Sequence, residues 1–484
     1  MIRKKAPLKI SWKKLLPFAL CVLFFSFSIT ITYDSAHYLG YVSIFEGETP
    51  ASEWDAVRGP IFPIIIHLFG ILFGKSNTGI LVGSFILYLI FCYFTFKLCQ
   101  QLTATYKNKT KIQTILFIIL TLNPLIFGYF HVLLTEYIAI TLTIVNIFIS
   151  YKWISSNYLN KKQVLVYTSF FIISTLLCYH LKQPYLTISF TPLIVASIIA
   201  FISKRNLRNA IYRFGTIILS TVILILSIIS WDMILDKIGA DQNNGRDSSS
   251  MLGEQLLKAY QIKVDGIEQP ISTMKALSVL TGEFTKDPFR ITGLYFLNYC
   301  GTISICTITS PNGIDYTPIQ SFNILDTYEN QIIGYSPYRL GPNTFPLSEK
   351  LEIYAKNYSL SSIHKSIFSL PMQILQYPTN ILFKISLIFC PLSIVVLFIF
   401  KRKDKKSKYI NIFRLSIILL ITSLAHIIIS AGVGLIIDRY AIEAFVPAVL
   451  GIFGTVTYVY LIKQQIPASH KKGKLQHKKQ RGSS

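Results

Sequence analysis

The sequence predicts an all-α polytopic membrane protein with about ten transmembrane helices and a loop domain on the outer face of the membrane. The first observation is composition: 52% of the 484 residues are hydrophobic and only 14% are charged, whereas a soluble chain carries about a quarter charged residues. The second observation is that apolar runs long enough to cross a bilayer recur along the chain. The third is that basic residues cluster between alternate runs, as they do in cytoplasmic loops.

The net charge of +24 would point to nucleic acid in a soluble protein. Here Lys and Arg lie in short clusters between apolar runs, so membrane topology accounts for them. We therefore predict that the chain has membrane lipids as partners and no nucleic acid.

Ten apolar runs approach the roughly 20 residues that a membrane span needs. The predicted spans are residues 15–31, 79–96, 114–129, 133–150, 164–179, 186–202, 214–235, 381–400, 415–435 and 441–462. The first run follows a basic segment and has no small-residue cleavage site after it. We therefore interpret it as an uncleaved first helix and not as a signal peptide.

The basic clusters predict the orientation of the chain. They occupy the N-terminal segment, the stretches 107–111, 152–162, 204–213 and 401–408, and the tail from Lys463. With ten spans and a cytoplasmic N-terminus, every cluster falls on the cytoplasmic side, whereas a different span count would scramble this alternation. We predict a multi-pass protein of the cytoplasmic (inner) membrane with both termini in the cytoplasm.

This topology divides the chain into four parts. They are an N-terminal membrane domain (1–235) with a first outer loop (33–78), an outer-face loop domain (236–378), C-terminal transmembrane helices (379–462) and a basic cytoplasmic tail (463–484).

Three apolar stretches on the outer side are not predicted to span. Residues 61–74 form a helix that begins at the prolines and, being too short to span, lies at the interface. Residues 289–309 are interfacial or folded. Residues 361–376 are predicted to form an amphipathic helix that lies flat on the bilayer and ends before Pro378.

Ionisable side chains gather at the outer ends of the predicted helices. They are Asp34, His37, Arg58, Glu136, His180, Lys182, Asp438 and Arg439. An ionisable group in a membrane helix is costly and is by default a functional-site hypothesis. Because the topology puts all of them near one membrane face, we predict a polar site there. The alternative for the first outer loop is a short acidic surface loop with no function in chemistry.

Asp34 follows the first span directly and is the candidate catalytic carboxylate, either as a general base or as a metal ligand. His37 lies three residues later, on the same face if the segment is helical, and can orient Asp34 or bind metal. Glu136, about one turn into the fourth span, is predicted to be a buried carboxyl group that orients a neighbour.

Arg58, Lys182 and Arg439 are candidates for binding a phosphate or pyrophosphate carried on a lipid. Arg binds phosphate through two parallel hydrogen bonds, and Lys binds it as a point charge. The alternative for each cation is a side chain that extends to the lipid headgroups. No P-loop, dinucleotide-binding glycine pattern, zinc-ligand spacing or GxSxG motif occurs. The residues name no cofactor, and a divalent metal stays open.

Short motifs surround these residues. Asp34 stands in Tyr-Asp-Ser-Ala-His-Tyr, and Arg58-Gly-Pro-Ile-Phe-Pro is followed by an apolar helix and Phe-Gly-Lys-Ser. Asn-Pro precedes Leu-Thr-Glu136, and Asp-Arg439-Tyr440 precedes a proline. Together with an amphipathic helix before Pro378, these motifs resemble the GT-C superfamily of polytopic glycosyltransferases, especially its protein-mannosyltransferase and aminoarabinose-transferase group.

The resemblance implies an enzyme that moves a sugar from a polyprenyl-phosphate donor to a glycan, lipid or protein acceptor on the outer face. It implies that Asp34 is catalytic, that Arg58, Lys182 and Arg439 contact the lipid phosphate, and that His37, Glu136 and Tyr440 support the site. Some members use a paired acidic residue or a divalent metal. No Asp-Asp or Asp-Glu pair stands at Asp34, and Lys182 lies where relatives often carry Arg-Pro.

Two other functions fit the same composition. A flippase or transporter of lipid-linked sugar would place charges near the bilayer midplane and often shows repeated halves, whereas these charges lie at one face and no halves are evident. An O-antigen polymerase or ligase also carries a large outer loop, but residues 236–378 show no dominant Arg-rich pattern.

Overall fold

The computed structural model describes most of the membrane part and pieces of the long loop. The described residues are 12–31, 33–55, 58–156, 160–202, 207–240, 253, 256–257, 259–262, 271–302, 308–309, 315–316, 358, 368–404, 409–432 and 441–481. Within them the chain is helical, apart from turns and one short hairpin.

Among the described residues, ten helices precede the long loop, which comprises residues 239–368. They are α1 (Trp12–Phe25), α2 (Tyr33–Phe45), α3 (Ile61–Phe73), α4 (Asn77–Thr103), α5 (Lys109–Thr121), α6 (Pro124–Tyr129), α7 (Glu136–Ser155), α8 (Lys161–Leu181), α9 (Leu186–Ile202) and α10 (Leu207–Ile238). Short 3-10 turns occur at Ala51–Glu53 and Gln183–Tyr185.

Within and after that loop, five helices and two strands have both of their bounds in the described part of the chain. They are α11 (Thr273–Lys286), α12 (Pro288–Thr302), β1 (Ile308–Thr309), β2 (Asp315–Tyr316), α13 (Ser369–Lys403), α14 (Ile410–Gly432) and α15 (Ile442–Arg481). The two strands pair antiparallel, with Ile308 opposite Tyr316.

Eight helices of the described chain are long and apolar enough to cross a membrane. They are α4, α7, α8, α9 with the turn before it, α10 from Ile211, α13 from Ile381, α14, and α15 as far as Gln464. Each coincides with one of the predicted spans, so the chain is an all-α, multi-pass membrane protein.

The other two predicted spans correspond to shorter helices. The run 114–129 is interrupted because Asn123 Oδ1 accepts a hydrogen bond from the Leu125 amide (2.9 Å) and Pro124 begins a new helix, α6. With 13 residues, α5 rises only about 20 Å, less than the hydrocarbon core of about 30 Å. The first run corresponds to α1, which has 14 residues. The count of ten spans therefore stays a prediction.

Helices α7 and α14 lie at the centre of the bundle, since 72% of an apolar 18-residue stretch of each is buried. Helix α10 lies at the edge of the bundle, because only 11% of the corresponding stretch is buried. Helices α14 and α15 approach closely at small residues: a Cβ added at Gly451 would lie 2.6 Å from Leu420 Cγ. Small residues allow such close packing where lipid provides no hydrophobic drive between helices.

Successive spans run in opposite directions from α7 to α10 and from α13 to α15, which gives the bundle two ends. We call one of them the site end. Helices α7, α9 and α15 begin there, and helices α8, α10 and α14 finish there. At the opposite end, α7 ends and α10 and α14 begin.

Part of the long loop is folded at the site end. A second apolar cluster, separate from the main core, joins Leu256, Leu257, Tyr260, Ile271, Ala276 and Ile291. Helix α12 packs against the end of α14, where the Tyr295 hydroxyl donates to the Ile428 carbonyl (3.4 Å). Helix α12 covers most of the stretch 289–309, and whether this helix lies at the membrane interface stays a prediction.

The stretch before the eighth span differs from its prediction. A helix was expected to end before Pro378, but α13 runs unbroken from Ser369 to Lys403 with Pro378 and Pro391 inside it. A proline removes one backbone hydrogen bond, which a helix packed on its neighbours can tolerate. Residues 361–367 lie outside the described chain. The short helix α3 begins after Pro60 as expected.

Candidate functional site

The start of α2, which carries Asp34, is held against the segment that leads into α7. Thr30 forms a parallel bridge with Val132, and its amide donates to the His131 carbonyl (2.8 Å). The Ser35 hydroxyl donates to the Leu133 carbonyl (2.6 Å) and is fully buried. Asp34 therefore lies in the first turn of α2, and this turn is anchored to Leu133, three residues before α7 begins. The side chains of Asp34 and His37 lie outside the description.

Arg58 is half-buried and is held by aromatic neighbours. Its Nη1 donates to the Tyr38 hydroxyl (3.2 Å), and its guanidinium lies 5.4 Å from the centre of the Tyr38 ring. The Trp54 indole donates to the Arg58 carbonyl (2.9 Å), and Trp54 stacks on Tyr41 with ring centres 4.7 Å apart. These contacts order the first loop and position the cation at the site end.

The glycine after Arg58 brings this loop onto the end of α8. A Cβ at Gly59 would overlap the His180 carbonyl, so only glycine fits. Lys182 is the residue directly after α8. Its amide donates to the Cys178 carbonyl (3.1 Å), and its side chain is half-buried. The backbones at Arg58 and Lys182 thus lie close together, although the sequence separates them widely.

The charges of Asp55 and Arg58 both act on Tyr41. Burial and then Asp55 raise the pKa of the Tyr41 phenol, and Arg58 opposes them. Tyr41 therefore stays a neutral hydroxyl at ordinary pH. The same observation puts a second carboxylate of the first loop near Arg58, so Asp55 is a competitor to Asp34 for any catalytic assignment.

Two buried carboxyl groups lie beneath this region. Glu136, in the first turn of α7, is 1% exposed, and Glu443, in the first turn of α15, is 2% exposed. The charge of Glu136 acts on Glu443, so the two groups are close. The Thr135 hydroxyl donates to Glu136 Oε2 (3.3 Å) and also bonds the Tyr185 hydroxyl (3.2 Å).

His426 links Glu443 to α9. Its Nε2 lies 3.3 Å from Glu443 Oε2, and its Nδ1 lies 2.6 Å from the Thr187 hydroxyl. The Thr187 hydroxyl also donates to the Pro184 carbonyl (3.0 Å), so this side chain joins His426 to the start of α9. We call Thr135, Glu136, Tyr185, Thr187, His426 and Glu443 the buried acid cluster.

Replacing His426 by alanine is expected to destabilise the protein strongly. The change leaves Glu443 buried without its bond to the imidazole, and breaking such a buried pair costs about 3–5 kcal/mol. Glu443→Gln keeps a polar group that can bond His426, so its cost should be smaller. The midpoint of thermal unfolding in detergent measures both. Equal midpoints for His426→Ala and the unchanged protein would contradict this account of the cluster.

A separate polar contact joins the first loop to the long loop. Glu46 Oε2 pairs with Lys75 Nζ (2.8 Å), and Glu46 Oε1 accepts from the Tyr358 hydroxyl (3.0 Å). His67 Nδ1 lies 3.6 Å from the same carboxylate. Burial raises the pKa of the Tyr358 phenol, and its bond to Glu46 raises it further. This contact holds residue 358 of the long loop onto helix α3.

The structure thus gathers four sequence-predicted positions at one end: the helix start at Asp34, and Arg58, Glu136 and Lys182. His180 lies there too, with its Nε2 2.7 Å from the Ser227 hydroxyl. Asp438, Arg439 and Tyr440 lie outside the described residues, in the connection between α14 and α15. His426 and Glu443 were missed by the sequence interpretation. Their signal was a lone histidine and a lone acid within two apolar runs.

Within the described chain, no three His, Cys, Asp or Glu side chains are arranged to share a metal ion. The side chains of Asp34 and His37 lie outside the described part of the chain, so metal dependence stays a hypothesis. Comparison with protein-family models, with curated proteins and with solved structures gives no significant match.

Proposed function

We propose that the chain is a membrane glycosyltransferase that moves a sugar from a polyprenyl-phosphate donor to an acceptor. The reaction takes place at the site end, which in this proposal faces the outer side of the cytoplasmic membrane. The observation that carries the proposal is the meeting of a carboxylate-bearing helix start with two half-buried cations at one end of an apolar bundle. The motif resemblance to GT-C glycosyltransferases supports the same chemistry.

Each residue has a distinct part in the proposed reaction. Asp34 takes the proton of the acceptor hydroxyl as its oxygen forms a bond to the sugar carbon that carries the phosphate. The bond from that carbon to the phosphate oxygen breaks, and polyprenyl phosphate leaves. Arg58 and Lys182, with Arg439 from the neighbouring connection, stabilise the negative charge that develops on the leaving phosphate.

The buried acid cluster supports the site in this proposal. Its contacts tie α7, α9, α14 and α15 together near the site end. Two of those helices, α14 and α15, are joined by the connection that bears Arg439. Fixed helix ends position charged groups before the reaction, which lowers the cost of organising them in the transition state.

The proposal is tested with purified protein in liposomes that contain a polyprenyl-phosphate donor labelled in its sugar. A glycosyltransferase separates the label from the lipid and releases polyprenyl phosphate once an acceptor is present. A transporter leaves the donor intact and changes only the leaflet in which it resides. Movement of intact donor, with no release of polyprenyl phosphate in the presence of a panel of glycan, lipid and peptide acceptors, would contradict the proposal.

The proposed orientation has its own test by cysteine labelling in a variant without native cysteines. Asn243→Cys, in the long loop, is expected to react with an impermeant reagent added to intact cells. Ser407→Cys, in the basic connection after α13, is expected to react only after lysis. Labelling of Ser407→Cys in intact cells would reverse the assigned sides.

A further inference from the structure

The opposite end of the bundle buries two arginines. Arg213 lies on α10 and is 2% exposed, and Arg414 lies on α14 and is 8% exposed. Their charges act on each other, and the charge of Arg414 also acts on Tyr151 in the last turns of α7. Like charges held close together away from water repel each other, and an anion bound between them offsets that repulsion.

The protein uses little of the hydrogen-bonding capacity of Arg213. Its Nη2 donates to the Trp153 carbonyl (2.6 Å), and its guanidinium lies 5.5 Å from the centre of the Trp153 ring. Nε and Nη1 have no hydrogen-bond partner within the described part of the chain. A guanidinium carries five N–H donors in a planar fork, and three of them are on Nε and Nη1. Arg213 can therefore donate to an acceptor group with several oxygens.

The depth of the pair suits a phospholipid headgroup. With 32 residues, α10 is about 48 Å long, which exceeds a hydrocarbon core of about 30 Å by about 9 Å at each end. Arg213 is the seventh residue of α10, about 9 Å from its start. Arg414 is the fifth residue of α14, about 6 Å from its start. Both arginines therefore lie near the boundary between the hydrocarbon core and the headgroups.

The surface next to Arg213 can receive lipid chains. Ile211 is 60% exposed and Phe214 is 41% exposed, and both flank Arg213 on the edge helix α10. Buried arginines between helices, bordered by apolar side chains, are an arrangement that binds anionic headgroups.

We propose that Arg213 and Arg414 bind the phosphate group of an anionic phospholipid from the leaflet at this end. One phosphate accepts hydrogen bonds from both guanidinium groups and offsets their repulsion. The bound lipid joins α10 to α7 and α14, so it stabilises the edge of the bundle. The site lies at the end away from the proposed sugar transfer and does not depend on that proposal.

The test measures the midpoint of thermal unfolding of delipidated protein as phosphatidylglycerol, monoolein or inorganic phosphate is added. Variants Arg213→Gln and Arg414→Gln are compared with Lys162→Gln, which removes an exposed cation from the same end. Each shift is taken from that variant's own starting midpoint, so destabilisation by the substitution does not confuse the result. Arg213→Lys keeps the charge and removes the fork.

Phosphatidylglycerol is expected to raise the midpoint of the unchanged protein and of Lys162→Gln, and monoolein is not. The half-saturating lipid concentration should rise about tenfold or more in Arg213→Gln and Arg414→Gln, because each loses charged hydrogen bonds. An equal shift with inorganic phosphate alone would show that the site binds a free phosphate ion, and it would overturn the proposal of a lipid ligand. An equal effect of monoolein, or full shifts in both Arg variants, would overturn the site.

Discussion

Asp34→Asn is expected to lower sugar transfer by about 10²–10⁴-fold, the usual contribution of a general base. Asparagine preserves the shape of the side chain and removes the charge that accepts the proton. Because Ser35 and Thr30 hold the start of α2 by contacts that do not involve this charge, folding and donor binding should survive. The measurement is the single-turnover rate of polyprenyl phosphate release by a monodisperse sample, with donor affinity measured beside it.

The carboxylates of the first loop provide matched controls for Asp34. Asp55 is half-buried and acts on Tyr41, whereas Glu53 is exposed in the 3-10 turn before it. Asp55→Asn and Glu53→Gln should keep most of the single-turnover rate. A well-folded Asp34→Asn protein with nearly unchanged transfer would end the assignment, and a large loss in Asp55→Asn alone would move the catalytic role to Asp55.

Arg58→Ala is expected to have the second-largest effect, a fall of about 10–100-fold in kcat/KM for the lipid donor. Loss of a hydrogen bond to a charged group costs about 1.5–3 kcal/mol, and each 1.36 kcal/mol is tenfold in rate. Arg58→Lys keeps the charge but not the planar fork, so it should recover part of the loss. Donor titrations of initial rate separate KM from kcat.

A cation that only anchors to headgroups is the alternative for Arg58, and Lys237 tests it. Lys237 is exposed in the last turn of α10, at the same end of the bundle. Lys237→Gln should leave donor kinetics unchanged. If Arg58→Ala changes the donor KM and kcat no more than Lys237→Gln does, Arg58 serves as an anchor and does not contact the donor.

Much of the membrane fold could be predicted from sequence because span length and hydrophobicity are local properties. Eight predicted spans coincide with helices that meet both conditions. The break at Asn123-Pro124 was not predicted, because the apolar residues on both sides continue the run. The helix that continues through Pro378 was missed for the opposite reason: a proline signals a stop, and packing against neighbours overrode it.

The candidate site was predicted only in part. Topology alone was enough to group Arg58, Glu136 and Lys182 at one end. The buried acid cluster could not be predicted, because its bonds join distant parts of the chain: Thr187 and His426 are 239 residues apart. The same is true of the separate Glu46–Tyr358 contact, which joins residues 312 apart. The sequence around a lone histidine in an apolar run does not indicate which residue the histidine contacts. Only the packing of α9 against α14 brings the two together.

A structure with a non-hydrolysable polyprenyl-phosphate sugar analogue bound tests the central proposal most directly. We predict that the phosphate lies within hydrogen-bond reach, about 2.7–3.2 Å, of Arg58 and Lys182 at the site end. The sugar carbon that bears the phosphate should face Asp34, with room for an acceptor hydroxyl between them. An analogue bound near the middle of the bundle, away from Arg58, Lys182 and Asp34, would contradict the proposal and favour transport.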